Sequence, residues 1–140
     1  MKLVIDASVA VKWLLGEDSM ETDLRAARQL LLQIVTGSYQ IVQPPHWQAE
    51  VVAVLARRYP DRVKIAVEAL DALKSETLES DAIYLRAASI SRERGQHVFD
   101  TLYHAVALEI GGAFVTAVER YFMAAYRLGC IERLSSFRLA

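Results

Sequence analysis

The stretch Leu3-Val4-Ile5-Asp6-Ala7-Ser8 decides the fold class of this chain. Three consecutive apolar residues without polar alternation are typical of a short strand buried on both faces. The Asp6-Ala7-Ser8 segment that follows predicts a strand end and then a helix capped by Ser8. The stretch therefore indicates a parallel sheet, with Asp6 at the carboxyl end of a strand.

Further strands follow the same pattern along the chain. Three segments predict short strands: Tyr39 to Gln43, which Pro44-Pro45 ends, Ala113 to Thr116, and Ile131 to Leu134. The segment Glu76 to Glu79 is a further, shorter candidate. We thus expect a sheet of four to five short strands.

Helices are predicted between these strands, because apolar residues recur at three- and four-residue steps. The predicted helices run from Asp18 to Val35 with Asp18 and Glu21 as a capping box, from Pro45 to about Tyr59, from Asp61 to about Lys74 with Val63, Val67, Leu70 and Leu73 on one stripe, from Asp81 to Arg94 between Ser80 and Gly95, from Asp100 to Ile110, and from Val118 to Leu128. Strands separated by helices imply right-handed crossovers. The expected fold is α/β: a single domain over residues 1–140 with a mostly parallel central sheet flanked by helices.

Composition limits the function classes. The chain has 140 residues, a formal charge of −1 and one cysteine, Cys130. The near-zero charge excludes binding of nucleic acid through bulk positive charge, so any polyanion site must be local. A single cysteine cannot form an intramolecular disulfide, and the N-terminus lacks the apolar core of a signal peptide. We expect a cytoplasmic protein without a membrane span.

Polar side chains gather at one edge of the predicted sheet. Asp6 and Thr116 end strands, Glu50 lies early in a helix after a strand, and Asp100 opens a helix. In an open α/β sheet the usable crevice lies beyond the carboxyl ends of the strands. Converging carboxylates repel one another, and a hard cation such as Mg²⁺ or Mn²⁺ relieves that repulsion. Helix capping and a solvated helix position explain the same spacing equally well.

The motifs together resemble a known family. They are Val4-Ile5-Asp6-Ala7-Ser8-Val9-Ala10-Val11-Lys12-Trp13, Ala49-Glu50-Val51, Phe99-Asp100-Thr101-Leu102-Tyr103-His104-Ala105-Val106-Ala107 and Phe114-Val115-Thr116-Ala117. In this order and spacing they resemble the PIN-domain ribonucleases of the VapC toxin type. The resemblance runs over nearly the whole chain.

This resemblance implies an activity and partners. It implies an endoribonuclease dependent on Mg²⁺ or Mn²⁺, with Asp6, Glu50 and Asp100 as metal ligands and catalytic residues. Ser8 and Thr116 are expected to hydrogen-bond a carboxylate or metal-bound water. It also implies a homodimer and a cognate VapB-type antitoxin. We expect these interfaces around Trp13, Leu14 and Leu24, and on the helix from Asp61.

One position departs from the family pattern. The pattern expects a further aspartate after Thr116-Ala117, where this sequence has Val118. The neighbouring Glu119 is a possible substitute, although one helical residue corresponds to a rotation of about 100°. Three carboxylates support one metal more easily than two. The alternative is a PIN-like module with a weakened catalytic centre that binds RNA or protein.

Local basic residues are candidates for RNA contact. Lys12 and Arg120 lie nearest the predicted crevice, and Arg57-Arg58 forms one of several candidate basic patches. His104, four residues after Asp100, is expected to be a packed histidine rather than a ligand. A phosphotransferase of the haloacid-dehalogenase type is excluded, because Ser8 stands where that class has a second aspartate.

Overall fold

The sheet is parallel throughout the part of the chain that the structure describes. The structure is a computed structural model that describes residues 1–16, 19 and 22–137. Its strands are β1 (Lys2–Ile5), β2 (Gln40–Gln43), β3 (Glu76–Thr77), β4 (Ala113–Thr116) and β5 (Ile131–Arg133). They lie in the order β3-β2-β1-β4-β5, and every neighbouring pair among them is parallel. The predicted α/β fold with a mostly parallel sheet is confirmed.

Helices connect the strands and cover both faces of the sheet. In the described residues they are α1 (Ala7–Trp13), α2 (Leu24–Val35), α3 (Trp47–Arg58), α4 (Val63–Ala72), α5 (Asp81–Arg94), α6 (Val98–Ile110) and α7 (Glu119–Ala125). Short 3₁₀ turns occupy Pro60–Arg62, Tyr126–Leu128 and Leu134–Ser136. None of the helices in these ranges is long and apolar enough to cross a membrane.

The strand order places a crevice next to β1. The chain moves from β1 to β2 on one side, and β4 lies on the other side. Such a reversal of direction opens a crevice beyond the carboxyl ends of the two central strands. Asp6 follows β1 and Thr116 ends β4, and the Asp6 backbone N–H donates to the Val115 carbonyl at 3.0 Å. The fold therefore brings these two residues to the same edge.

The two faces of the sheet belong to two apolar clusters. Val4 and Phe114 pack in the cluster formed with α3, α4, α5 and α6, whereas Leu3, Ile5 and Val115 pack in the cluster beneath α2. Successive side chains of a strand point to opposite faces. Burial on both faces explains why the β1 sequence is a continuous apolar run.

Some predicted helix ends are confirmed. The Ser80 hydroxyl accepts a hydrogen bond from the Ile83 backbone N–H at 3.2 Å, and Gly95 ends α5 in the left-handed conformation with a φ of 65°. Gly111 ends α6 in the same way. These termini follow the usual preference for serine at the start and glycine after the end of a helix.

The prediction that Ser8 caps the first helix is wrong. Helix α1 begins at Ala7, and Asp6 is its N-cap residue, with an extended backbone and a carbonyl that accepts from Val9 and Ala10. Ser8 lies inside the first turn, where its hydroxyl donates to the Asp6 side chain. The Asp6 carboxylate makes no capping hydrogen bond to α1. The Asp6 carboxylate is therefore not used in capping the helix.

Several helix boundaries differ from the predictions, among them those of α2, α6 and α7. Helix α2 begins at Leu24, and the predicted capping box of Asp18 and Glu21 lies outside the described residues. Helix α6 begins at Val98 with His97 as N-cap, so Asp100 lies within the first turn rather than opening the helix. Helix α7 ends at Ala125, because the chain tightens into a 3₁₀ turn.

The stripe predicted for α4 is wrong at one residue. Val67 is 52% exposed, whereas Ala66 and Leu70 are buried, with Val63 and Leu73 packed beside them. Residues 63, 66, 70 and 73 share one helical face, and residue 67 lies about 100° from residue 66. Ile65 is also half exposed, but residues two apart on a helix do not share a face, so Ile65 and Val67 lie on different sides of α4.

The structure buries one of the three side chains of the predicted interface around Trp13, Leu14 and Leu24. Leu14 is buried within the chain, and Trp13 and Leu24 pack against the core. The Trp13 indole N–H donates to the Ala27 carbonyl at 2.9 Å. Leu14 is therefore not available to a partner, whereas Trp13 and Leu24 are partly exposed where α1 meets α2, and an interface there stays a prediction. The exposed apolar residues of α2 are Leu32 and Val35.

Candidate metal centre

One crevice of about 330 Å³ opens at the carboxyl ends of the central strands. Its wall includes the three predicted carboxylates, Asp6, Glu50 and Asp100. Basic residues Lys12, Arg57 and Arg58 line the same crevice, with the smaller side chains of Ala7, Ser8, Val11, Val54, Ala117 and Val118. The fold thus places acidic groups and basic groups around one opening.

Asp6 is fixed by two hydroxyl groups. Its Oδ2 atom accepts hydrogen bonds from the Ser8 hydroxyl at 2.7 Å and from the Thr116 hydroxyl at 2.8 Å. Each hydroxyl also accepts from the backbone, Ser8 from the Ala117 N–H and Thr116 from the Val118 N–H. Neither hydroxyl bond uses Oδ1. The network holds the carboxylate at the end of β1 and leaves its second oxygen to other partners.

The ionised form of Asp6 is disfavoured in this site. Burial raises the pKa of its carboxyl to about 6, against the hydrogen bonds from Ser8 and Thr116, and the charges of Asp100 and Glu50 add to the rise. Burial and the charge of Glu50 also raise the pKa of Asp100, while His97 and His46 oppose that rise. A cation between these groups would favour their ionised forms.

Glu50 is held by residues from two other parts of the chain. The Tyr103 hydroxyl donates to Glu50 Oε1 at 2.6 Å, and His46 Nε2 lies 3.3 Å from the same atom. His46 Nε2 also donates to the Phe99 carbonyl at 2.7 Å. Burial alone would lower the pKa of His46, but the contacts with Glu50 and the Phe99 carbonyl raise it overall. Burial raises the pKa of Tyr103, so its hydroxyl keeps its proton and remains a donor.

The donor set suits a hard divalent cation. Among residues 1–16, 19 and 22–137, no group of three or more acidic, histidine or cysteine side chains is arranged to hold a metal ion. Mg²⁺ does not require one, since it usually keeps several waters and binds one or two carboxylates with substrate phosphates. Asp6, Glu50 and Asp100 offer oxygen donors around an open crevice. They fit such an ion. Its charge would favour the ionised forms of Asp6 and Asp100, whose pKa values are raised without it.

Val118 lies on the crevice wall at the position where a fourth carboxylate is expected. It is the N-cap of α7 and is 42% exposed. The next residue, Glu119, does not line the crevice; its carboxylate pairs with the Arg133 guanidinium at 2.8 Å. The Glu119 side chain therefore pairs with a residue of β5, and the crevice wall carries the apolar side chain of Val118.

The predicted RNA-contacting residues occupy different places. Lys12 lines the crevice but is 6% exposed, and its ammonium donates to the Thr22 carbonyl at 2.8 Å. Arg120 is exposed and is not part of the crevice wall. Arg57 and Arg58 lie on the wall, on the face of α3 that carries Glu50. The positive side of the crevice is thus formed mainly by α3 and α1.

His104 is a core residue, as predicted. It is fully buried, its Nε2 donates to the Gly129 carbonyl at 2.7 Å, and its Nδ1 accepts from the Tyr121 hydroxyl at 3.0 Å. Burial lowers its pKa. A neutral, fully bonded imidazole of this kind stabilises the packing of α6 against α7.

Two residues of this edge were missed by the sequence reasoning. Tyr103 holds Glu50, and the signal for it is its position three residues after Asp100, on the same face of α6. The amide of the buried Gln43 accepts from the Ile5 N–H at 2.7 Å and donates to the Ile5 carbonyl at 2.8 Å. It bridges β1 and β2 next to Asp6. No local sequence pattern identifies a glutamine whose side chain takes the place of a backbone partner between two strands.

Comparisons with known proteins agree with this geometry. The family model described as PIN domain matches residues 3–127 of the chain. Among solved structures, the crystal structure of FitAcB from Neisseria gonorrhoeae is similar, with a TM-score of 0.65 and 15% sequence identity, covering 98% of this chain and 100% of that one. A likeness at this identity shows the shared fold. A search of curated proteins found no match.

Proposed function

Because this chain belongs to the PIN domain family, we propose that it is an endoribonuclease of the VapC toxin type that depends on Mg²⁺ or Mn²⁺. PIN domains are generally nucleases that use a divalent metal. The observation that carries the proposal is the meeting of Asp6, Glu50 and Asp100 at one crevice beyond the central strands. The proposed enzyme is one domain over residues 1–140.

The residues divide the work of phosphodiester hydrolysis. Asp6 and Asp100, whose ionised forms are disfavoured in the absence of a cation, are the proposed metal ligands, with Glu50 at the α3 side of the crevice. A metal ion held by these residues would supply an activated water and neutralise charge on the phosphate oxygens. Ser8 and Thr116 keep the Asp6 carboxylate in one orientation. No side-chain nucleophile is needed.

Cleavage of defined RNAs tests this proposal. Purified protein without any partner would be incubated with single-stranded and structured RNAs in Mg²⁺, in Mn²⁺ and in chelator. We expect cleavage with either metal and none in chelator. Cleavage that persists in chelator would contradict metal dependence, and no cleavage under any condition would contradict the nuclease proposal.

Arg57 is the proposed contact for a phosphate next to the cleaved one. It lies on the crevice wall two helical turns after Glu50, which is about 10 Å along the axis of α3. Arginine binds phosphate through two parallel hydrogen bonds. We expect Arg57→Ala to weaken RNA binding about tenfold. The slope of log affinity against log salt concentration should also become shallower by about one, since one phosphate contact is lost. Fluorescence anisotropy with labelled RNA at several salt concentrations measures both effects.

A matched control separates local contact from net charge. Arg92 is exposed near the end of α5 and does not line the crevice. Arg92→Ala removes the same charge and should leave RNA affinity unchanged. Equal losses in the two variants would show that Arg57 contributes general charge alone.

Val118 favours a second candidate function. An apolar residue on the crevice wall, with Glu119 paired to Arg133, fits a PIN-like module that binds RNA or protein and cleaves weakly. On either candidate, Val118→Asp is expected to add a carboxylate to the site. We expect the variant to bind Mn²⁺ at least about tenfold more tightly, because ligand charge tunes cation affinity.

The neutral variant Val118→Asn is the control for this change. It has a side chain of similar size without the charge, and we expect it to bind Mn²⁺ as the natural protein does. Calorimetry measures the affinities, and the RNA assay measures the activity. Cleavage gained only in Val118→Asp favours the binding module, whereas cleavage already present in the natural protein favours the enzyme.

We also propose the partners and location of this enzyme. A VapB-type antitoxin with an arginine would be attracted to the acidic side of the crevice formed by Asp6, Glu50 and Asp100. The half-exposed Val67 on α4 is the proposed apolar contact of a homodimer. An endoribonuclease of this kind acts on RNA in the cytoplasm.

A further inference from the structure

A buried tyrosine reaches the candidate metal centre from the core. Tyr103 has no exposed surface, and its hydroxyl lies 2.6 Å from Glu50 Oε1. Its ring stacks on Phe114 at a centroid distance of 5.5 Å and an interplanar angle of 5°. The centroid of the His46 ring lies 4.8 Å from that of Tyr103. The phenol is therefore held by its ring and by its hydroxyl together.

This hydrogen bond joins the two helices that carry acidic residues of the site. Asp100 and Tyr103 lie on α6, and Glu50 lies on α3. Residues three apart on a helix share a face, so Tyr103 reaches Glu50 from the side of α6 that carries Asp100. The bond fixes the rotamer of a glutamate whose side chain is 30% exposed. A glutamate without such a partner samples several rotamers.

We propose that Tyr103 is a positioning residue that orients Glu50 toward the metal. Its hydroxyl holds Oε1, with His46 Nε2 at 3.3 Å from the same atom, and Oε2 is then the oxygen presented to the cation. The inference rests on the proposed function, because it gives Glu50 the role of a ligand. Partners of metal ligands typically change metal affinity 10- to 100-fold when they are removed.

The chain contains a matched control for this proposal. Tyr121 is also buried, its ring contacts Phe114 at 5.6 Å, and its hydroxyl donates to His104 Nδ1 at 3.0 Å. His104 is not among the proposed ligands. Tyr121→Phe therefore removes a buried hydroxyl from the same aromatic cluster without touching Glu50. A general loss of core hydrogen bonding would affect both variants alike.

Mn²⁺ binding to the unliganded proteins is the test. Natural protein, Tyr103→Phe and Tyr121→Phe would be stripped with chelator and titrated with Mn²⁺ by calorimetry, with urea unfolding to measure their stability. We expect Tyr103→Phe to bind Mn²⁺ about 10- to 100-fold more weakly, and Tyr121→Phe to bind it as the natural protein does. In the RNA assay, Tyr103→Phe should lower kcat and leave KM unchanged.

A double-mutant cycle shows whether Tyr103 acts through Glu50. In a Glu50→Gln background, Tyr103→Phe should cause no further loss of Mn²⁺ affinity, because the oriented ligand is already removed. The natural protein gives a second readout that needs no change at Tyr103. Mg²⁺ should perturb its tyrosine ultraviolet spectrum as the carboxylate charge is drawn to the cation, and Glu50→Gln should lose that difference spectrum.

The outcomes distinguish this inference from the proposed function. Mn²⁺ affinity in Tyr103→Phe equal to or tighter than that of the natural protein would overturn the inference while the metal site stands. The same holds if Tyr121→Phe weakens Mn²⁺ binding equally, or if Glu50→Gln keeps the full tyrosine difference spectrum. A natural protein that binds no Mn²⁺ would instead overturn the proposed function itself.

Discussion

Replacing Asp6 by Asn is expected to abolish RNA cleavage while the fold is kept. Both hydroxyl bonds of Asp6 end on Oδ2, and the amide oxygen of Asn accepts the same two bonds. The amide nitrogen then takes the place of Oδ1, where it offers the cation neither charge nor a lone pair. Losing a direct ligand should cost more than the roughly 100-fold that removal of a ligand's partner costs.

The RNA assay and Mn²⁺ calorimetry check this expectation together. Glu119→Gln is the control, because Glu119 is the carboxylate next to Val118 and is paired with Arg133 rather than placed on the crevice wall. We expect it to cleave RNA as the natural protein does. Full cleavage by Asp6→Asn, or a loss in Glu119→Gln as deep as that in Asp6→Asn, would contradict the assignment of the ligands.

The same Asp6→Asn change is expected to stabilise the metal-free protein at neutral pH. Burial raises the pKa of Asp6 to about 6 in the folded chain, from an ordinary value of 3.8. Between these two pH values the folded state binds more protons than the unfolded state, so the free energy of unfolding falls as pH rises. Above about pH 6 the accumulated cost is on the order of 3 kcal/mol.

Urea unfolding from pH 4 to pH 7.5 in chelator measures this cost. The stability of Asp6→Asn minus that of the natural protein should grow by on the order of 3 kcal/mol across this range. The lowered pKa of His104 acts in the opposite direction, since its stabilising contribution is lost as pH falls below its ordinary value. His104 is present in both proteins, so its effect cancels in the difference. A difference that does not change with pH would refute the stated cause.

The two predictions for Asp6 describe one property of the site. A buried carboxylate next to Glu50 and Asp100 costs folding free energy until a cation binds. Function and stability are therefore expected to respond in opposite directions to the same substitution, as is common at catalytic sites.

The sequence predicted the sheet and the edge that carries the candidate site because the signals there are local. A continuous apolar run at Leu3 to Ile5 requires burial on both faces, and a strand of that kind ends where Asp6 begins. The termini of α5 follow from Ser80 and Gly95. Each of these signals lies within a few residues of the feature that it predicts.

Other features depend on contacts between distant residues, and the sequence pattern does not contain them. Ser8 matched a helix cap, but its hydroxyl bonds to Asp6 once Asp6 occupies the N-cap position. The bonds from Tyr103 to Glu50 and from Gln43 to Ile5 span 53 and 38 residues. Periodicity also cannot separate apolar side chains packed in the chain's own core, such as Leu14, from those that meet a partner.

Counting the Mn²⁺ ions bound to the natural protein tests the central claim most directly. Protein stripped with chelator would be titrated at neutral pH, with electron paramagnetic resonance to separate free from bound Mn²⁺ and Asp6→Asn as reference. We expect one bound ion that the reference loses, because the proposed ligands Asp6, Glu50 and Asp100 line one crevice and Val118 stands on its wall in place of a fourth carboxylate. No bound Mn²⁺, two tightly bound ions, or binding that Asp6→Asn retains would contradict it.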